Sequence, residues 1–66
     1  MKNMLDYVKL ILYKVSFSQE LFEKELRKAL NALVPNEIEQ LRIWCYEKFQ
    51  DLYGELLNKY FPRLTA

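Results

Sequence analysis

The chain has 66 residues, a formal charge of +1, one cysteine and no histidine. That composition excludes an internal disulfide and a Cys/His zinc site, so a domain this small has to stand on apolar burial. The material for it is present: 52% of residues are hydrophobic and ten (one Trp, five Tyr, four Phe) are aromatic.

One glycine and two prolines leave little room for hairpins, and the apolar periodicity is helical. The first predicted helix runs from about Asn3 to Val15. Asn3 serves as N-cap, and Asp6 sits in the first turn, at the positive end of the helix dipole. Met4, Val8, Ile11 and Val15 form an inward stripe, with Leu5 and Leu12 beside it. Leu10 and Tyr13 fall outside that stripe.

The second helix begins at Ser16-Phe17-Ser18-Gln19. With Ser18 as cap, Phe17 and Phe22 take the spacing of a hydrophobic staple; with Ser16 as cap, Gln19 completes a capping box. Phe22, Leu26, Ala29, Leu30 and Leu33 make the inward face, and Glu20/Lys24 and Glu23/Arg27 are acid-before-base pairs on the outer one.

Pro35 ends that helix, and Asn36 with Glu39 offers a cap for a third starting near Asn36 or Glu37. Its inward stripe is Ile38, Leu41, Cys45, Phe49, Leu52 and Leu56, with Tyr60 beside it. Gly54 is the weak point, and a break or kink is expected between Gln50 and Gly54. Pro62 closes the pattern, so residues 1–61 form one domain and 62–66 a frayed tail. The predicted fold is an all-α three-helix bundle with a short fourth helix or a kinked C-terminal extension after Gly54. Its centre should be Phe22, Leu26, Leu30, Leu33, Ile38, Leu41, Cys45, Phe49 and Leu52.

Catalytic chemistry finds no footing in this pattern. Acids and bases alternate at helix-surface spacing, which describes a solvated face. Cys45 lies within an inward stripe, where a free cysteine behaves as a small buried hydrophobe, and no histidine can activate it. The chain therefore reads as a non-enzyme, with no cofactor, metal or small-molecule ligand expected. Lys2 precedes no signal-peptide-like apolar core, no segment is a membrane span, and the lone cysteine suits a cytoplasmic setting.

Charge is spread thinly. Residues 1–17 sum to +2, residues 18–34 to zero and residues 35–66 to −1. A helix-turn-helix would present bases on its third helix, yet there Arg42 and Lys48 face Glu37, Glu39, Glu47 and Asp51. The denser basic group is Lys24, Arg27 and Lys28 on the second helix. It is the basis for an alternative reading as a small nucleic-acid-associated regulator.

The stronger signal is surplus apolar surface. At about 100° per residue, Ile43 points opposite the stripe through Cys45, and Trp44 and Tyr46 lie to its two sides. If the helix continues past Gly54, Phe61 joins Ile43 on the far side. Leu10, Tyr13, Ile43, Trp44, Tyr46 and Phe61 are thus the candidate interface. Trp and Tyr anchor many interfaces, and a symmetric homodimer is the commonest way to cover such a patch. A homodimer is expected ahead of a complex with another protein.

The segments Lys14-Val15-Ser16-Phe17, Leu21-Phe22-Glu23-Lys24-Glu25-Leu26 and Trp44-Cys45-Tyr46-Glu47-Lys48-Phe49 resemble those of short all-helical proteins from bacterial genomes. The resemblance implies a small helical fold and supplies no activity, ligand or functional residue.

Overall fold

A computed structural model describes residues 3–61. The tail expected over 62–66 lies outside the described residues. Three helices follow one another: α1 (Met4–Lys14), α2 (Gln19–Ala32) and α3 (Pro35–Tyr60). Each packs on the other two, as expected of a three-helix bundle.

The helix ends follow local chemistry. Asn3 Oδ1 accepts from the Asp6 N–H at 2.8 Å, and Ser18 Oγ accepts from the Leu21 N–H at 3.3 Å. Ser18 rather than Ser16 is therefore the cap of α2. The Ser16 hydroxyl turns back instead and donates to the Tyr13 carbonyl at 2.8 Å, which also accepts from the Ser16 N–H at 3.3 Å, closing the end of α1. The Phe17–Phe22 staple does not form. Phe22 is fully buried among the rings of Phe49 and Tyr53, and Phe17 is left 79% exposed.

α3 starts earlier than the Asn36/Glu37 expectation. Pro35 occupies its first position, where a missing N–H costs nothing and the fixed φ already suits a helix. Glu37 Oε1 accepts from the Val34 N–H at 3.2 Å, while Glu39 binds Arg42 and takes no part in capping. One proline thus separates two helices through a connection of only Leu33 and Val34.

The expected kink is present, at Tyr53 (φ −128°, ψ 27°). A straight helix of 26 residues would span about 39 Å at ~1.5 Å per residue. The longest extent of the molecule is 33 Å. The bend brings the Tyr46 and Phe61 rings to a centroid distance of 6.5 Å, where a straight helix would hold their backbones about 22 Å apart. The arm over 54–60 thus folds back along the Tyr46 side of the preceding arm, and Tyr46 Oη donates to Asn58 Oδ1 across the bend. Tyr53 Oη donates to the Ser16 carbonyl at 2.6 Å, pinning the hinge to the α1–α2 turn.

The core consists of Leu5, Val8 and Leu12 from α1, Phe22, Leu26, Ala29 and Leu33 from α2 and its end, and Leu41, Cys45, Phe49, Tyr53, Leu56, Leu57 and Phe61 from α3 and its end. Two expected inward residues, Met4 and Leu52, are exposed. Met4 is 48% exposed, because the inward direction of α1 runs through Leu5, Val8 and Leu12 and leaves Met4 at the rim. Leu52 is 63% exposed although it lies within about 20° of Cys45 around the helix. At that level the covering partners are Phe22 and Ser16, on the Tyr53 side, so the buried face has turned by about 80° from Cys45. Leu30, Ile38 and Val15 are partly buried against the core, and Ile11 is half-buried.

Candidate functional site

α1 buries one side and leaves the other apolar. Around its outer face Tyr7 is 56%, Leu10 45% and Tyr13 68% exposed. Spaced at i, i+3 and i+6, they cover an arc of about 120° centred on Leu10. Asp6 and Lys14 are also exposed and stand at the two ends of this arc. Tyr7 was not among the residues expected here; its signal was its place one turn before Leu10 on the uncovered side.

The six candidate interface residues separate into three groups. Leu10, Tyr13 and Ile43 are exposed, Ile43 at 47% on the outer side of α3. Trp44 and Tyr46 are half-covered by their own chain. Phe49 meets the Trp44 ring edge-on at 5.5 Å, and the Lys9 ammonium lies over it at 5.8 Å. Phe61 is only 4% exposed, which corrects the expectation that it faces outward with Ile43. The reason is the bend at Tyr53, which turns the end of α3 onto Tyr46.

Two hollows flank these features. An open apolar groove of about 220 Å³ runs between α1 and α2. Met4, Tyr7 and Ile11 form one wall and Ala29 and Ala32 the other, with Glu25 and Lys28 at its edge. A more polar hollow of about 340 Å³ surrounds the hinge, lined by Gln19, Gln50, Asp51, Leu52 and Glu55 among others.

Several ionisable groups tie neighbouring turns or helices together. Lys24, Arg27 and Lys28 are exposed on α2, and Lys28 meets Glu25 at 3.6 Å. Glu23 does not pair with Arg27 as its spacing suggested. It crosses to the end of α3, accepting from Tyr60 Oη and from Lys59 Nζ at 3.3 Å. The Tyr60 hydroxyl, helped by Lys59, holds the Glu23 carboxyl below its ordinary range. The Arg42 guanidinium does the same for Glu39. Burial pushes the Cys45 thiol up to about 12, against a small opposing effect of Lys9, so it is a neutral packing group at physiological pH. Among the described residues no cluster of three His, Cys, Asp or Glu side chains could hold a metal ion. No described helix is long and apolar enough to cross a membrane.

No protein-family model, curated protein or solved structure matches this chain.

Proposed function

We propose that this protein is a non-enzymatic, cytoplasmic protein–protein interaction module that self-associates as a homodimer through the outer face of α1. One observation carries the proposal. An 11-residue helix that already fills the core from one side holds Tyr7, Leu10 and Tyr13 exposed together on the other. Isolated exposed apolar residues are ordinary on any protein, but three on adjoining turns of one face form a patch. Aromatic anchors around an aliphatic centre match the composition of interface hot spots. A pairing through one short helix buries less than the ~800 Å² per partner of standard interfaces, so affinity in the micromolar range is expected.

Light scattering coupled to size exclusion, run from low to high micromolar concentration, tests this. The parent chain should approach twice its monomer mass as concentration rises. Leu10→Asp should remain monomeric with an unchanged helical circular-dichroism spectrum, because Leu10 lies outside the core. A parent that stays monomeric to high micromolar concentration overturns the proposal.

A further inference from the structure

The outer face of α1 has an internal symmetry that bears on how two copies would meet. Read along the chain it is Asp6-Tyr7-Val8-Lys9-Leu10-Ile11-Leu12-Tyr13-Lys14. Leu10 is its midpoint. Three residues to either side stand tyrosines, displaced by about 60° around the helix in opposite senses. Four residues to either side stand Asp6 and Lys14, displaced by about 40° in opposite senses. All five side chains are exposed, and among the described residues neither Asp6 nor Lys14 forms an ion pair. The face is therefore a palindrome in shape and an inverted palindrome in charge.

We infer that two copies of this chain pair through antiparallel α1 helices, with Leu10 at the two-fold axis. This rests on the self-association proposed above and adds its register. A two-fold axis there brings each residue beside the one whose number makes a sum of 20 with its own. Leu10 meets Leu10 of the second copy, Tyr7 meets Tyr13, and Asp6 meets Lys14, each of the last two contacts occurring twice. A parallel pairing would instead set Asp6 against Asp6 and Lys14 against Lys14, two like-charge contacts. It would also align the helix dipoles head to head, so charge selects the antiparallel arrangement. The isologous interface that results requires a surface complementary to itself, which this face is.

A charge-swap series in sedimentation equilibrium tests the register. Asp6→Lys places two lysines together at both ends of the pairing, and Lys14→Glu places two acids together. Each single variant should weaken the dimer by about ten-fold, as expected when two exposed attractions become repulsions. The double variant Asp6→Lys/Lys14→Glu restores opposite charges and should return to within about three-fold of the parent. A merely structural role predicts the reverse order. Asp6 favours the positive end of the α1 dipole and Lys14 the negative end, so the double variant would then be the worst of the three.

A second readout is covalent. Leu10→Cys should cross-link to itself on mild oxidation, since only a residue near the axis brings its own Cα within ~7 Å of its copy. Ile43→Cys should not, and Cys45 adds no background because it is buried. Restoration in the double variant together with Leu10→Cys cross-linking supports the register. A parent dimer that ignores the charge swaps, or that cross-links through Ile43→Cys, overturns the register while leaving self-association standing. A parent that is monomeric throughout overturns both.

Discussion

Phe22 is the side chain on which most of the interior depends. It is fully buried, stacked on Tyr53 at 4.5 Å and edge-on to Phe49 at 5.0 Å. Such pairs add to the area term that already favours burying a large ring. Phe22→Ala should cost about 3–5 kcal/mol in urea unfolding, whereas Leu52→Ala should stay within about 0.5 kcal/mol. The contrast is sharp because sequence periodicity treats both residues as core. Cys45 has a different test. Its buried, protonated thiol should resist an aromatic disulfide reagent at pH 8 in the native state and react at once in denaturant. Fast labelling of the folded protein would contradict the burial described for it.

Among the elements, α3 shows how packing overrides local preference. Gly54 follows the hinge residue, yet no glycine here has a positive φ, and a Cβ at Gly54 would meet nothing within 4 Å. The bend is held by contacts: the Tyr53–Ser16 hydrogen bond, the Tyr53–Phe22 stack and the Tyr46–Phe61 contact. Gly54→Ala should then stabilise the fold by about 0.5–1 kcal/mol, raising Tm, because the unfolded chain loses freedom that the folded one does not use. A fall in Tm would mean that the hinge needs the glycine. The far end of the same helix is tied to α2 by Glu23, which accepts from Tyr60 and Lys59. Its carboxyl is depressed in the folded state, so its stabilising effect is complete above the ordinary carboxylate range near about 4.3. The effect disappears as pH falls through the lower folded value. Glu23→Gln should be less stable than the parent at pH 7, and the two stability curves should converge in acid. Curves that stay parallel down to the acid limit would exclude this role for Glu23.

At the level of the whole molecule, what was legible in the sequence was what neighbouring residues decide. The caps at Asn3 and Ser18, the break at Pro35 and the periodic inward face of α2 are written in residues within a few positions of one another, and Gly54 marked where α3 bends although distant contacts hold the bend. Leu52 and Phe61 were misplaced, and Tyr53 was left unassigned, because their environment comes from afar. Tyr53 is matched to Ser16, 37 positions away, and Phe61 to Tyr46 across the bend. Periodicity assumes a straight helix with one partner, and α3 has neither property. The candidate surface was half visible: Leu10 and Tyr13 could be recognised as surplus. Tyr46 and Phe61 were drawn together by the bend that periodicity does not describe, and Trp44 is partly covered by Phe49 and Lys9.

That bend has a consequence for how stability is distributed. The side-chain contacts holding the arm over 54–60 come from α2, from the α1–α2 turn and from Tyr46, none of them nearer than 12 positions along the chain. An arm held from a distance can open as a unit while the rest of the bundle stays closed, giving the chain a local unfolding step below its global one. Opening would carry Phe61 and Leu57 off the interior and uncover the flank of α3 that they close. The aromatic side chains gathered around Tyr53 thus set how far the stability of this arm lies from that of the whole fold.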